Sequence, residues 1–147
     1  MPSALHVELP AEPGAAGRSR RATDRWLASL CWVETSCGVV ADLLLAINEA
    51  VSNSIEHAYR GTGAGTVTLR ADTVGRDDPE RTGSCAEVRV RVEVSDRGHW
   101  RTPPEDPGFR GRGLTMMRAC ADDVVVRCGA AGTTVTFHTT LGRCSSR

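Results

Sequence analysis

Two polar side chains suited to catalysis or cation binding lie one helical turn apart in an otherwise apolar stretch. Glu49 and Asn53 are four residues apart, and His57 follows four residues later, so a helix would align the three along one face. Glu49 offers a carboxylate that can accept a proton, and Asn53 offers a carboxamide oxygen, a ligand type that hard cations prefer. An ordinary amphipathic helix with a solvated polar face has the same spacing, so the pair alone assigns no function.

Three glycine-containing motifs follow this stretch. Asp96-Arg97-Gly98 ends a run of alternating valines, Gly111-Arg112-Gly113-Leu114 precedes a short helical pattern, and Gly132-Thr133-Thr134-Val135 opens the last apolar alternation. Taken singly, each motif is typical of a turn, because glycine and aspartate are common turn residues. The four signals in this order, on these elements, are much more specific than any one of them.

Helical periodicity predicts two helices before the glycine motifs and one among them. The first runs from Arg18 to Val33, and the last opens at Gly113-Leu114. The second helix carries the polar pair, with Thr35 or Ser36 as its N-cap and Gly61 as its stop. The apolar positions at helical spacing are Ala22, Trp26, Leu30 and Val33 in the first helix, Val40, Leu44, Ile47, Val51, Ile55 and Ala58 in the second, and Leu114, Met117 and Ala121 in the third.

Alternating apolar and polar residues predict five strands. Their predicted bounds are Leu5–Leu9 at a sheet edge, Gly65–Val74, Glu87–Ser95, Asp123–Cys128 and Thr133–Leu141. The third strand is the clearest, since its valines alternate with charged residues and so occupy one face. The polar segments Gly75–Ser84 and His99–Arg112 are predicted to be irregular, and Gly129–Gly132 a tight turn.

The order of the predicted elements indicates the fold class. Strands and helices do not alternate strictly, which favours an α+β fold: a two-layer α/β sandwich in which a mixed, mostly antiparallel sheet carries helices on one face. Residues 1–147 are expected to form a single domain. Its core would extend from about residue 5 to residue 141, followed by a short polar tail at 142–147.

Composition excludes several function classes. The formal net charge is zero, which predicts no direct nucleic-acid partner. All 18 basic residues are arginine, so a nucleotide site that depends on a P-loop lysine is excluded. Six cysteines are scattered without a C-x-x-C pair or zinc-like spacing, and small apolar fillers or surface thiols are the expected roles. With no basic-then-apolar leader and no apolar run judged long enough to cross a bilayer, the chain is expected to be cytoplasmic, without a membrane partner.

Together, the four signals resemble the motifs of the GHKL ATPase superfamily, the proteins with the Bergerat ATP-binding fold. Within it the chain most resembles the RsbW-like anti-sigma factor serine kinases, from about Leu5 to Leu141. A sensor histidine kinase is not expected, since no phospho-accepting histidine helix stands upstream. The matching residues are Asn48–Asn53 with His57-Ala58-Tyr59 for the N-box, Asp96–Trp100 for the first glycine box, Gly111–Leu114 with Met117 for the second, and Gly132–Val135 for the third.

This resemblance implies ATP and Mg²⁺ as cofactors and gives each motif a role. It implies that Glu49 is the catalytic base that accepts the proton of an attacking serine, and that Asn53 binds Mg²⁺ and the nucleotide. Asp96 would accept a hydrogen bond from the adenine amino group, with Gly98 allowing the backbone to pass close to the base. The remaining implied nucleotide contacts are Arg110, Gly111, Arg112, Gly113 and Leu114 on the phosphate side, and the Thr134 hydroxyl near adenine.

The resemblance also implies partners. The expected function is an ATP-dependent anti-sigma factor protein serine kinase that binds a sigma factor and phosphorylates a STAS-type antagonist. Phosphorylation would release the antagonist and leave the kinase free to hold sigma. A homodimer is a further expectation of the family.

Two alternatives stay open at this point. Many family members have a second glycine where this chain has Trp100, a departure that motivates a non-catalytic, ATP-gated regulatory binding module. A stand-alone relative of the ATPase domain found fused to regulatory phosphatases is the other alternative, and the residues do not separate it from the kinase.

Overall fold

The computed structural model of the chain describes residues 4–30, 38–58, 65–74, 88–97 and 111–141. These residues form five strands and three α-helices, the second of which continues into a π-helical segment. The bounds are β1 Ala4–Pro10, α1 Ala15–Ala28, α2 Gly38–Asn53, the π-helical segment Ser54–Ala58, β2 Thr66–Val74, β3 Val88–Asp96, α3 Gly111–Cys120, β4 Asp122–Gly129 and β5 Gly132–Leu141.

The five described strands form one sheet in the order β1-β2-β3-β5-β4. Every neighbouring pair is antiparallel, so the described sheet is wholly antiparallel where the sequence predicted a mixed one. Helices α1 and α2 pack on strands β1, β3 and β5, and α3 packs on α2 and β4. The α+β prediction is confirmed, and β1 is the edge strand that its short alternating pattern predicted.

The two faces of the sheet differ because the side chains of each strand alternate. On β3, Val90, Val92 and Val94 are fully buried beneath the helices, while Arg89 and Arg91 lie on the opposite, open face. Burying each of these valines contributes about 1.5–3 kcal/mol to stability. The valine alternation therefore fixes which face the helices cover, and any residue in phase with the valines joins the covered face.

Helix α2 is the centre of the helical layer. Val40, Ile47 and Val51 of the predicted apolar stripe are buried, together with Leu43, Ala46 and Ala50. The 19 residues Gly38–Glu56 are, by length and composition alone, long and apolar enough to cross a membrane, contrary to the sequence-based expectation. The buried core helix of a water-soluble domain can have the same length and composition.

Helix α1 starts and ends earlier than its periodicity predicted, at Ala15 and Ala28 instead of Arg18 and Val33. Its covered side includes two buried hydroxyl residues that the apolar pattern did not count. The Ser19 hydroxyl donates to the Ala16 carbonyl oxygen at 2.7 Å, and the Thr23 hydroxyl donates to the Ser19 carbonyl oxygen at 2.8 Å. Because both hydroxyls are satisfied within the helix, they can be buried at little cost.

Several predicted features lie outside the described residues. They are the N-cap at Thr35 or Ser36, the stop at Gly61, the loop Gly75–Ser84 and the segment from Gly98 to Arg110. The segment predicted to be irregular as far as Arg112 instead gives way to α3 at Gly111. Leu114 and Met117 of α3 are buried, as the helical spacing predicted.

Candidate functional site

A row of polar side chains crosses the helix-covered face at one end of the sheet. Asp96 ends β3 and pairs with Thr133 of β5, which in turn pairs with Cys128 of β4. Asp96 is in phase with the buried valines and is 6% exposed, and Thr133 is 1% exposed. The Thr133 hydroxyl donates to the Cys128 sulfur at 3.9 Å. A carboxylate and a hydroxyl are thus held side by side on the covered face, beneath the helical layer.

Thr134, the hydroxyl that the sequence resemblance selected, lies on the other face of the sheet. It pairs with Ser95 and is out of phase with Thr133, so the pleat separates it from the Asp96 side chain. There it lines an open cavity of about 430 Å³. The other residues lining this cavity are Glu8, Thr66, Thr68, Arg70, Ser95, Asp96, Arg97, Ala131 and Gly132.

That open-face cavity is not the site of the polar pair on helix α2. No described residue of α2 or the π-helical segment lines it, and, apart from Asp96, the strand side chains that surround it lie on the face away from the helices. Thr133 is therefore the residue of the Gly-Thr-Thr motif that lies with Asp96. Sequence reasoning missed it, although Thr133 is in phase with the apolar residues Val135 and Phe137 along the strand.

Gly132 brings the backbone of the β4–β5 turn against the end of β3. Its φ of +136° is one that residues with a side chain rarely adopt. A Cβ atom at this position would stand 1.9 Å from the Asp96 carbonyl oxygen and 2.7 Å from the Arg97 Cα. The backbone of residue 132 therefore packs directly against the backbone of Asp96 at the end of the sheet, and only glycine fits at position 132.

Helix α2 contributes the second group of polar residues. Glu49 is half-buried, and Asn53, at the C-terminal end of the helix, is 6% exposed. Burial raises the pKa of the Cys120 thiol in α3, and the nearby carboxylates of Asp42 and Glu49 raise it further. This electrostatic effect shows that Glu49 lies on the side of α2 towards α3, as expected from the packing of the two helices.

A change of helical geometry follows Asn53 directly. Residues Ser54–Ala58 form a π-helix, which contains His57 and packs on β3 and β5. These are the two strands whose neighbouring ends carry Asp96 and Thr133. Single π-helical turns within α-helices are rare and occur frequently at functional sites. The segment connects the polar end of α2 to the two strands that carry Asp96 and Thr133.

The second glycine motif forms the first turn of helix α3. Gly111, Arg112 and Gly113 are its first three residues, and the free N–H groups of a helix start favour anions. Leu114 is 2% exposed and belongs to the hydrophobic core, so packing already accounts for it. Gly98 and Arg110, the other two residues predicted to contact a nucleotide, lie outside the described residues, as does Trp100.

This combination of fold and motifs defines an ATPase domain of the histidine kinase type. The family model of the histidine kinase-like ATPase domain matches residues 9–139, and the chain belongs to that family. The GHKL resemblance of the sequence is therefore confirmed.

One similar solved structure contains an RsbW domain. The crystal structure of the RsbU and RsbW domains of Rv1364c from Mycobacterium tuberculosis is 29% identical in sequence, with a TM-score of 0.69. The match covers 99% of this chain but 35% of that one, so the present chain spans about a third of the protein it matches. This likeness is consistent with an RsbW-like protein.

Two further similar structures support the fold alone. They are the histidine kinase domain of the blue-light activated histidine kinase EL346 from Erythrobacter litoralis and EL346 itself. Their sequence identities are 24% and 23%, and their TM-scores are 0.50 and 0.51. The matches cover 69% and 73% of this chain, and 44% and 31% of the two kinase chains.

Proposed function

We propose that the protein is an ATP-dependent anti-sigma factor serine kinase. It would bind a sigma factor and transfer phosphate from ATP to a serine of a STAS-type antagonist. The observation that carries this proposal is that a chain of the histidine kinase-like ATPase family has both Glu49 and Asn53 on α2 and a buried Asp96 at the end of β3. The likeness to a structure containing an RsbW domain supports the anti-sigma assignment.

The polar groups at the end of the sheet fit an adenine base. Asp96 supplies a carboxylate, an acceptor suited to an exocyclic amino group, and Thr133 supplies a hydroxyl beside it. Both residues are more than nine-tenths buried, so hydrogen bonds formed there compete little with water. The backbone approach at Gly132 holds this end of the site in a fixed geometry.

The donors near helix α2 fit magnesium and the phosphates. Asn53 would supply a carboxamide oxygen to Mg²⁺, which takes few protein ligands and keeps several waters. The first turn of α3, with Gly111, Arg112 and Gly113, would face the phosphates with its free N–H groups. Arg110 would add positive charge on the phosphate side.

Glu49 is the residue of this chain that acts as the general base in the transfer. Bound Mg-ATP supplies the transferable phosphoryl group. Glu49 accepts the proton of the attacking serine hydroxyl, which makes the serine oxygen a better nucleophile as it attacks. General-base assistance of this kind is typically worth about 10²- to 10⁴-fold in rate. Its half-buried position on the α3 side of α2 keeps the carboxylate reachable from solvent, as a protein substrate requires.

Cellular context follows from the same proposal. A protein that holds a sigma factor works in the cytoplasm. The homodimer expected of the family is part of the proposal, as is the absence of a direct nucleic-acid or membrane partner.

Trp100 in the first glycine box favours a second candidate function, a non-catalytic module whose affinity for a partner depends on ATP. The two candidates differ in their need for the Glu49 carboxylate. Partner control that survives Glu49→Ala unchanged favours the binding module.

The phosphotransfer assay tests the proposed function directly. The protein is incubated with Mg-ATP and purified STAS-type antagonists, and phosphate on the antagonist serine is measured by mass spectrometry. The proposal requires stoichiometric phosphorylation of at least one antagonist. ATP binding without transfer to any antagonist would contradict the kinase assignment and leave the binding module.

The positions of the two threonines give a separate prediction. Thr133→Val is expected to weaken ADP binding by about 3- to 10-fold, the usual worth of one hydrogen bond, because Thr133 lies beside Asp96. Thr134→Val is expected to leave ADP affinity within about twofold of the native value, because Thr134 is on the open face. Calorimetric titration with ADP measures both. A larger loss in Thr134→Val than in Thr133→Val would contradict the assignment.

A further inference from the structure

The open-face cavity at the end of the sheet has no part in the proposed phosphotransfer. Its volume of about 430 Å³ lies within the range of about 300–1,000 Å³ that is typical of small-molecule sites. One wall of the cavity is a row of paired side chains, one from each of four neighbouring strands. This open-face row consists of Glu8, Thr68, Ser95 and Thr134. Because neighbouring strands are about 4.8 Å apart, its three hydroxyls span about 10 Å, within reach of a single small ligand.

Two arginines flank the open-face row from opposite sides. Arg70 lies two residues after Thr68 on β2, and Arg97 lies two residues after Ser95 at the end of β3. Since β2 and β3 are antiparallel, these equal offsets point in opposite directions along the sheet. Long arginine side chains can therefore converge on one anion above the hydroxyls. With Glu8, the described side chains that line the cavity from the open face carry two positive charges and one negative charge.

The ion pair of Arg70 leaves its guanidinium group able to accept a ligand. Arg70 Nη1 is 3.7 Å from Glu93 Oε2, and the Arg70 side chain is 56% exposed. Such exposed pairs contribute little to stability, so Arg70 can turn towards an anion at little cost. Glu93 also pairs with Arg91 at 3.4 Å, and this second arginine keeps the carboxylate neutralised when Arg70 turns away.

We propose that this cavity binds a small phosphate monoester that carries hydroxyl groups. A phosphate monoester has nearly two negative charges and three acceptor oxygens, which match two arginines and a row of hydroxyl donors better than a singly charged carboxylate does. The Glu8 carboxylate, at the β1 end of the row, would accept a hydrogen bond from a hydroxyl of the ester. Because the proposed nucleotide site is on the covered face, the two ligands can bind at the same time.

Calorimetric titration with glycerol 3-phosphate tests this site, with Mg-ADP present so that the nucleotide site is filled. The native protein should bind glycerol 3-phosphate more tightly than inorganic phosphate and should show no binding of glycerol. Arg70→Gln is expected to weaken glycerol 3-phosphate binding by about 10- to 100-fold, the usual worth of a hydrogen bond between charged groups. Its melting temperature should stay close to the native value, because only an exposed ion pair is lost.

Arg91→Gln is the matched control for the arginine. Arg91 lies on the same face, is 42% exposed and pairs with the same Glu93 carboxylate, but it does not line the cavity. Its replacement removes an equal charge and a similar ion pair, and it should leave glycerol 3-phosphate affinity within about threefold of the native value. The comparison separates a contact with the ligand from the general charge of the open face.

Two threonines of β5 give a second matched pair without a change of charge. Thr134 and Thr136 lie two residues apart on the open face, opposite Ser95 and Glu93, and of the two, Thr134 lines the cavity. Thr134→Val should weaken glycerol 3-phosphate binding by about 3- to 10-fold, the usual worth of one hydrogen bond. Thr136→Val should leave this affinity unchanged.

The outcomes distinguish this inference from the proposed function. Absence of glycerol 3-phosphate binding at millimolar concentration, or equal affinities of Arg70→Gln and Arg91→Gln, would overturn the site. Inorganic phosphate bound as tightly as the ester would overturn the assignment to a hydroxylated monoester. A native protein that binds glycerol 3-phosphate through Arg70 but binds no ADP would refute the proposed function and support the open-face site.

Discussion

Replacing Gly132 with alanine is expected to destabilise the protein and to disrupt nucleotide binding together. The added methyl group would stand 1.9 Å from the Asp96 carbonyl oxygen, at a φ of +136°, so the end of β3 must move or the turn must change conformation. Backbone strain of about 1–3 kcal/mol and overpacking of about 1–3 kcal/mol together lower the free energy of unfolding by about 2 to 6 kcal/mol. Because Asp96 is the residue displaced, ADP affinity should fall at least about tenfold, a loss of about 1.4 kcal/mol.

Gly129→Ala provides the control for this prediction, since it changes the glycine at the other end of the same turn. Gly129 pairs with Gly132, and a Cβ atom there meets nothing within 4 Å. Thermal unfolding and ADP titration of both variants should show a loss for Gly132→Ala and near-native values for Gly129→Ala. Equal behaviour of the two variants would refute the close approach at Gly132 as the feature that holds Asp96.

Replacing Glu49 with glutamine is expected to abolish phosphotransfer while preserving nucleotide binding. Glutamine keeps the size and shape of glutamate and one acceptor oxygen, but its amide cannot take up the serine proton. The rate of transfer to the antagonist should therefore fall by about 10²- to 10⁴-fold, with ADP affinity within about threefold of the native value. Single-turnover transfer and calorimetric titration measure the two effects separately.

Asp42→Asn is the matched control for the loss of a carboxylate from helix α2. Asp42 lies seven residues before Glu49, and both carboxylates raise the pKa of Cys120, so the two share one side of the helix. Phosphotransfer by Asp42→Asn should remain near the native rate. Full activity in Glu49→Gln would rule out Glu49 as the general base, and equal losses in the two variants would attribute the effect to the charge of the helix.

The fold could be predicted where side chains alternate clearly. The valines of β3 identified both the strand and its buried face, and the structure confirms them. The apolar stripe of α2 likewise identified the core helix. Such patterns are informative because burial of one face leaves a regular period in the sequence.

Features that depend on contacts between distant segments could not be predicted in this way. The π-helical turn at Ser54 leaves no periodic signal, because it changes the hydrogen bonding of a single turn. Helix α1 buries hydroxyls that bond their own backbone, so its covered side does not read as apolar. The close approach of Gly132 to Asp96 depends on pairing between strands 36 residues apart in sequence.

The position of the hydroxyls in Gly132-Thr133-Thr134 could be predicted only in part. The resemblance to a family selected Thr134, whereas the phase of Val135 and Phe137 assigns Thr133 to the covered face. That phase was readable from the sequence, but its meaning depended on the pairing of β5 with β3, which puts Thr133 opposite Asp96. Once β3 is known to be the neighbour of β5, the phase of the strand places the Thr133 hydroxyl on the covered face beside Asp96.

The central claim is that the protein holds an adenine nucleotide between helix α2 and the end of β3. Titration of ADP with Mg²⁺ into the native protein and into the Asp96→Asn variant tests this claim most directly. The native protein should bind ADP. The near-isosteric substitution removes the carboxylate acceptor and should weaken binding at least about tenfold, since a hydrogen bond to a charged group is worth about 1.5–3 kcal/mol. Absence of binding to the folded native protein at millimolar ADP or ATP, or equal affinity of the two proteins, would contradict the account.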